Sequence, residues 1–264
     1  MNHRHLAAAA VLLLASASFA TALNAADTAD YREWEDQSVN YVNTEPMRSD
    51  CAVPSDPDSM MLLNGDWKFH FALTPETRPL DFFKPGFDAS DWDTIKVPST
   101  WELQGYGTPL YSGWEYPFKV DPPFVTKEPP REKTSYLERN PVGSYLREFE
   151  LPDGWLKDSQ VFVRLNGVAS AFYLYVNGEK VGYGEDSFSP DEFNITKYLT
   201  PGTNSIAVEV YRFSDGSYLE DQDFFRFSGI FRDVVLFRTP DVAIVEGMFH
   251  WLLFLTMAEE PRLQ

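Results

Sequence analysis

The stretch FYLYVNGEKVGY at residues 172–183 holds two predicted strands and the turn between them. Residues 172–176 are a run of aromatic and apolar side chains, and residues 180–183 form the returning strand. Asn177 and Gly178 separate the two. A two-residue type I′ turn needs positive φ at both central positions, which Asn followed by Gly tolerates best. The stretch therefore predicts an antiparallel hairpin.

Further strand patterns lie on both sides of this hairpin. Trp67, Phe69 and Phe71 alternate with polar residues, which is the period-two pattern of a strand with one buried face. Short strands at regular spacing with hardly a helical stretch are typical of a sandwich. The prediction is an all-β fold, a jelly-roll β-sandwich, with strands at residues 144–150, 161–165, 172–176, 180–183, 205–212 and 231–238.

The two ends of the chain differ from this β region. Residues 1–26 combine a basic start, an apolar run from Leu6 to Ala20 and small residues, which is the pattern of a secretory signal peptide. The run is shorter than the roughly 20 residues that span a bilayer. We therefore expect export to the periplasm or the medium. Residues 27–60 are predicted to be an extended leader, residues 61–240 the sandwich domain, and residues 241–264 an atypical tail, either a terminal helix or a shifted reading frame.

Residues 74–135 have few strand patterns and many prolines. Proline lacks the N–H that a β-ladder needs, so these residues are predicted to form long loops. Long loops inside a compact domain are usually functional. The prolines concerned are Pro98, Pro109, Pro117, Pro122, Pro123, Pro129 and Pro130.

The charge and the cysteine and histidine contents argue against several classes of function and of site. The chain has 40 acidic and 22 basic residues and a formal net charge of −18, which disfavours binding to nucleic acid or to anionic membranes. One cysteine, Cys51, excludes an internal disulfide, and four histidines, two of them inside the signal peptide, leave too few ligands for a His/Cys zinc site.

Residues 213–234 combine many charged side chains with many aromatic ones. Carboxylates there can accept hydrogen bonds from sugar hydroxyls or bind a hard cation, while aromatic rings pack on the C–H face of a sugar. An acidic loop held by Arg–carboxylate pairs explains the composition equally well. The charged residues are Asp215, Glu220, Asp221, Asp223, Arg226, Arg232 and Asp233.

Three motifs carry a resemblance to a known family. These are VPSTWELQGYG at residues 97–107, NGVASAFYLYVNGEKVGYGEDSFSPDEFNIT at 166–196, and SDGSYLEDQD followed by SGIFRDV at 214–234. Over residues 60–240 the chain resembles the amino-terminal sugar-binding jelly-roll domain of glycoside hydrolase family 2 β-galactosidases. The sequences of the loops resemble those of the β-galactosidase branch more than those of β-glucuronidases and β-mannosidases.

The resemblance implies roles for a few residues. Asp223 matches the family acid that reaches the galactose site and helps to bind a sodium ion. The family carries an Asn in the loop before a Tyr-Pro pair, and Gly113 stands in that place here. Glycine has no side chain for this contact, which leaves Trp114 or Glu115 to supply it. A magnesium ion is expected only in a full-length enzyme.

The resemblance also implies what this chain lacks. Family members hydrolyse the glycosidic bond with two glutamates on a later (β/α)8 barrel, so the chain is expected to be inactive alone. Its expected partners are a galactoside, the downstream catalytic domains and, in a full-length enzyme, further copies of itself. Two alternatives stay open: a stand-alone secreted carbohydrate-binding module, and a fragment of another family 2 glycosidase such as a β-glucuronidase or β-mannosidase.

Overall fold

The protein is described here from a computed structural model that covers residues 32–47, 56–113, 115–220 and 223–242. The predicted signal peptide, Cys51, Trp114 and nearly all of the atypical tail lie outside these residues. Every strand of the described residues pairs with its neighbours in antiparallel fashion. The strands are Tyr41–Val42 (β1), Met60–Leu62 (β2), Gly65–Ala72 (β3), Asp93–Val97 (β4), Leu110–Ser112 (β5), Val142–Leu151 (β6), Ser159–Leu165 (β7), Val168–Ala169 (β8), Ala171–Val176 (β9), Glu179–Glu185 (β10), Asp191–Asn194 (β11), Gly202–Tyr211 (β12), Phe224–Arg226 (β13), Gly229–Ile230 (β14) and Val234–Pro240 (β15).

The strands form two main sheets and two small ribbons. One sheet has seven strands in the order β1-β10-β9-β12-β6-β3-β4, and the other has four in the order β11-β7-β15-β2. β5 pairs with β13, and β8 pairs with β14. The all-β prediction is confirmed for the described residues, whose only helical segments are short 3-10 turns. These turns are Glu33–Glu35, Pro57–Ser59, Pro75–Thr77, Glu102–Gln104, Thr134–Tyr136, Thr196–Tyr198 and Asp215–Tyr218.

The main hydrophobic core lies between the two sheets. Trp67 and Phe69 of β3 face Val163 of β7 and Leu236 of β15 in one buried cluster. Burying a side chain of this kind stabilises the fold by about 1.5–3 kcal/mol. The alternation seen in the sequence around Trp67 therefore corresponds to the inward face of β3.

A second aromatic layer covers the outer face of the seven-stranded sheet. All six residues of β9 are buried, because Phe172 and Leu174 face the main core while Tyr173 and Tyr175 belong to the outer cluster. Trp34, from the segment before β1, stacks on Tyr211 with ring centroids 4.9 Å apart. The described part of the leader thus lies over a sheet face that would otherwise be exposed.

The predicted hairpin at residues 172–183 is confirmed. Asn177 has φ 51° and Gly178 has φ 89°, and Glu179 pairs with Val176. Both turn residues thus adopt the left-handed conformation that the type I′ turn requires.

The predicted last strand, residues 231–238, was placed three residues too early. β15 begins at Val234, and the preceding Gly229–Ile230 pairs with β8 in a separate ribbon. The segment between them is not part of a strand, and its Arg232 Nη1 donates to the carbonyl of Phe188 at 2.7 Å. Residues 74–135, which were predicted to be loops, also contain two short strands, β4 and β5.

No helix within the described ranges is long and apolar enough to cross a membrane.

Candidate functional site

The β5–β13 ribbon brings two predicted site residues together. Phe225 lies opposite Tyr111, and Phe224 lies opposite Ser112. Gly113 follows β5 and Asp223 precedes β13, so both lie at the same end of the ribbon. A Cβ atom on Gly113 would be 3.6 Å from Asp223 Oδ1, which is ordinary van der Waals contact. Segments 110 residues apart in sequence are therefore adjacent here.

Asp223 is exposed and its carboxylate is oriented by a neighbour. The Tyr111 hydroxyl donates a hydrogen bond to Asp223 Oδ1, and this bond raises the pKa of Tyr111. The Tyr111 ring meets Phe225 edge-on with centroids 5.4 Å apart. Both rings are more than half exposed, at 61% for Tyr111 and 56% for Phe225. The ribbon end therefore presents a carboxylate beside exposed aromatic carbon, which is a surface suited to a hydroxyl-rich ligand.

Glu115 has a different partner. Its Oε2 accepts from Lys133 Nζ at 2.9 Å, and Lys133 also donates to the carbonyl of Tyr116. Exposed ion pairs of this kind contribute at most about 1 kcal/mol. The contacts described for Glu115 run to the 115–133 loop and not to Asp223. Trp114 lies outside the described residues.

Arg226 anchors the ribbon from beneath. Its Nε donates to Ser112 Oγ at 3.0 Å, and its Nη1 donates to the carbonyl of Glu220 at 2.7 Å. The Glu220 carboxylate in turn accepts from the backbone N–H and the hydroxyl of Ser187, both at 2.7 Å. The loop that carries Asp223 is thus tied to β5 on one side and to the residues after β10 on the other. The sequence pointed to Arg226 and Glu220 but gave no sign of the two serines.

A buried ion pair lies deeper, under the same ribbon. Arg212 Nη2 is 3.5 Å from Glu102 Oε1, and the two side chains are 1% and 0% exposed. Arg212 also donates to the carbonyl of Thr108 at 2.6 Å, while Glu102 Oε2 accepts from the N–H of Ser228 at 2.9 Å. Burial raises the pKa of Glu102 and lowers that of Arg212. A cavity of about 40 Å³, large enough for one water molecule, lies between Arg212 and Arg226.

Three carboxyls near the end of β10 have raised pKa values. Burial, assisted by neighbouring acids, raises the pKa of Glu185 to about 8 and that of Asp191 to about 8. Burial also raises the pKa of Asp215 to about 6. Glu185 accepts a hydrogen bond from the Tyr183 hydroxyl at 2.6 Å, whereas Asp191 Oδ1 has no partner within the described structure.

The donor set for a metal ion is incomplete in the described ranges. No group of three His, Cys, Asp or Glu side chains there has a geometry that would hold one. At the ribbon, Asp223 offers one carboxylate, with Oδ1 already accepting from Tyr111. Further oxygen ligands for a cation at Asp223 would have to come from groups other than a cluster of described His, Cys, Asp and Glu side chains.

Asp191 provides a test of the buried acids. Asp191 is 4% exposed, and its pKa of about 8 lies well above the ordinary 3.8. Between these values the folded state binds a proton that the unfolded state has lost, so this group's contribution to stability falls as pH rises from about 4 to about 8. We expect Asp191→Asn to remove that loss. The free energy of unfolding of the variant, relative to wild type, should increase by at least about 1.4 kcal/mol between about pH 4.5 and about pH 7.5 in urea titrations.

The matched control is Asp91→Asn, which makes the same chemical change at an exposed position. Its difference from wild type should stay within about 0.5 kcal/mol at both pH values. If the free energies of unfolding of the two variants, relative to wild type, change equally with pH, Asp191 ionises as freely as a surface acid and the prediction is contradicted.

Sequence comparison identifies the domain. The family described as "Glycosyl hydrolases family 2, sugar binding domain" matches residues 60–240. A β-galactosidase of Priestia megaterium is 53% identical over 184 residues, which cover 70% of this chain and 17% of that protein. A β-galactosidase of Halalkalibacterium halodurans is 44% identical over 220 residues, covering 80% of this chain and 21% of that protein. The chain thus spans about a fifth of the length of these relatives.

Solved structures share the fold. A β-glucuronidase of Bacteroides uniformis is 26% identical with a TM-score of 0.50, and the match covers 69% of this chain and 18% of that one. A β-glucuronidase from an uncultured Clostridium sp. has a TM-score of 0.51 at 24% identity, over 73% of this chain and 31% of that one. At that identity the second likeness concerns the fold alone.

Proposed function

The chain belongs to glycoside hydrolase family 2 through its sugar-binding domain, and on that premise we propose that it supplies one wall of the galactoside site of a longer β-galactosidase. The observation that carries the proposal is the end of the β5–β13 ribbon, where Asp223, Tyr111 and Gly113 meet on an exposed surface. We also propose that the sandwich is a jelly roll.

The proposed chemistry at the ribbon is recognition of the sugar. Asp223 Oδ1 is held by Tyr111, which leaves the other carboxylate oxygen to accept hydrogen bonds from two sugar hydroxyls or to ligate a sodium ion. A carboxylate accepts hydroxyl hydrogen bonds more strongly than a neutral oxygen does. Gly113 leaves open the space into which an Asn side chain would project, so the contact made by that Asn elsewhere in the family falls to other groups in this protein.

Hydrolysis itself is assigned to parts of the longer protein. A retaining glycosidase needs two carboxyl groups about 5–5.5 Å apart across the bond. We propose that downstream domains supply this pair, together with the sites for magnesium and for contacts between subunits. Sequence identity supports a galactoside over a glucuronide, because the β-galactosidase relatives are 44–53% identical while the Bacteroides uniformis β-glucuronidase is 26% identical.

A domain exchange tests the proposal. Residues 60–240 would replace the corresponding domain of the Priestia megaterium β-galactosidase, and kcat/KM for a chromogenic β-galactoside would be measured. We expect the chimera to retain kcat/KM within about tenfold of the parent's value. A tenfold loss corresponds to about 1.4 kcal/mol of lost transition-state stabilisation. A chimera that unfolds cooperatively near the parent's Tm but hydrolyses no galactoside would refute the proposal.

We further propose that the chain is exported. The basic start, apolar run and small residues before residue 27 support this, since the signal peptidase cleaves after small residues. Expression with the native amino terminus in a bacterial host should yield protein outside the cytoplasm that begins between Thr21 and Asp27. Amino-terminal sequencing that returns Met1 would rule out processing.

A further inference from the structure

A polar groove is lined by residues outside the β5–β13 ribbon. Strand β10 of the large sheet and strand β11 of the small sheet meet there, and the groove has a volume of about 430 Å³. That volume falls within the range of about 300–1,000 Å³ typical of small-molecule sites. The polar residues that line it are Asn43, Glu45, Gln160, Asn194, Thr196, Lys197 and Tyr198.

The segment before the sandwich forms one wall by crossing between the sheets. Asn43 Nδ2 donates to the carbonyl of Val181 in β10 at 2.8 Å. Glu45 donates its backbone N–H to the carbonyl of Glu192 in β11 at 2.8 Å. The first bond fixes the Asn43 side chain against β10, and the second attaches the backbone of Glu45 to β11.

The opposite wall is equally well held. Asn194 Nδ2 donates to Gln160 Oε1 at 3.1 Å, and Asn194 Oδ1 accepts from the N–H of Thr196 at 3.1 Å. The Lys197 ammonium lies 4.8 Å from the centre of the Tyr198 ring. A cation–π contact of this kind restrains the lysine without neutralising its charge.

Several polar groups at the groove keep hydrogen-bonding capacity. Within the described structure, the Glu45 carboxylate and the Lys197 ammonium have no ion-pair partner, and the Tyr198 hydroxyl has no hydrogen-bond partner. Asn43 and Asn194 each use one amide N–H and keep the other. The groove therefore offers donors and acceptors together.

From this arrangement we infer that the groove is a second carbohydrate-binding site, which takes a neutral sugar. The Glu45 carboxylate and the chain's net charge of −18 disfavour a negatively charged ligand, and the Lys197 ammonium disfavours a positively charged one. A neutral sugar presents hydroxyls that each donate and accept, which matches the mixed lining. The inference does not depend on the proposed galactoside wall, because the groove shares no lining residue with the ribbon.

Titration of the 264-residue chain with lactose, followed by NMR, tests the site. We expect saturable shifts of the amide signals of Gln160, Asn194 and Lys197, with a Kd of about 1–10 mM. The double variant Glu45→Gln/Lys197→Met should weaken binding at least about fivefold. Lys197 is exposed and Glu45 half-buried, so the double variant should unfold within a few degrees of the wild-type Tm.

Two controls separate this site from others. Asp223→Ala changes the ribbon and should leave the groove shifts and their Kd unchanged. Glycine, a zwitterion of matching charge, should bind more weakly than lactose. The inference is overturned if lactose causes no saturable shift at the groove, if the double variant binds as wild type does, or if glycine binds there more tightly.

Discussion

Replacing Arg212 with methionine is expected to lower the free energy of unfolding by about 3–5 kcal/mol. The substitution leaves Glu102, whose side chain is fully buried, without its cationic partner. It also removes the donor to the carbonyl of Thr108, which lies just before β5. A buried charge without a partner costs far more than a surface ion pair provides, so this should be among the most damaging single changes in the domain. Urea titration monitored by tryptophan fluorescence gives the measurement.

Two further variants make the cause explicit. Arg212→Met/Glu102→Gln removes both charges of the buried pair and should recover part of the lost stability. Glu138, whose Oε2 lies 3.3 Å from Arg212 Nη1, still loses its partner in this variant, but its side chain is 19% exposed. Lys133→Met breaks the partly exposed pair with Glu115 together with the hydrogen bond to the carbonyl of Tyr116, and should cost about 1 kcal/mol. A loss for Arg212→Met as small as that for Lys133→Met would contradict the role given to the buried pair.

The pH dependence of the Arg212→Met effect has a definite direction. Burial already raises the pKa of Glu102, and loss of the Arg212 charge raises it further. At low pH Glu102 is protonated in the folded and in the unfolded protein, so the variant loses the hydrogen bond to Thr108 but leaves no charge on Glu102 without a partner. As pH rises the folded variant must either keep a proton that the unfolded chain releases or bury a charge. The destabilisation should therefore be larger at about pH 8 than at about pH 5.

Asp223→Ala, in the chimera with the Priestia megaterium enzyme, is expected to lower kcat/KM for a β-galactoside by about 10- to 100-fold. A hydrogen bond to a charged group contributes about 1.5–3 kcal/mol, and 1.36 kcal/mol corresponds to tenfold in rate. If Asp223 also ligates sodium, the stimulation of hydrolysis by sodium over potassium should shrink in the same variant. Steady-state kinetics in the two salts measures both effects.

The matched control for this change is Asp153→Ala, at an exposed turn between β6 and β7. It removes the same carboxylate from the surface and should leave both kcat/KM and the sodium response at the chimera's values. If Asp223→Ala behaves as Asp153→Ala does, the ribbon takes no part in galactoside recognition.

The sequence predicted those parts of the fold that depend on local chemistry. The hairpin at Asn177 and Gly178 follows from backbone conformations that few other residue pairs adopt. The inward face of β3 follows from the alternation around Trp67. Strands β4 and β5 were not predicted because they lie among the prolines of residues 74–135, which indicate loops. Pairing with β3 and β13 stabilises these two strands.

The candidate site could be predicted only in part. The family resemblance, and not local pattern, pointed to Asp223 and Gly113 together, because the pairing of β5 with β13 joins segments more than 100 residues apart. The Tyr111 hydrogen bond depends on this pairing, and the Arg212–Glu102 pair is likewise a contact between distant segments. No spacing in the sequence relates residue 102 to residue 212, so these contacts emerge only from the folded chain.

The most direct test of the galactoside wall is a crystal structure of the chimera with bound lactose. The proposal predicts a carboxylate oxygen of Asp223 within about 2.6–3.2 Å of a galactosyl hydroxyl, or of a sodium ion that itself contacts the sugar. A structure in which lactose fills the active site but neither a sugar oxygen nor such an ion lies within about 3.5 Å of Asp223 would contradict it.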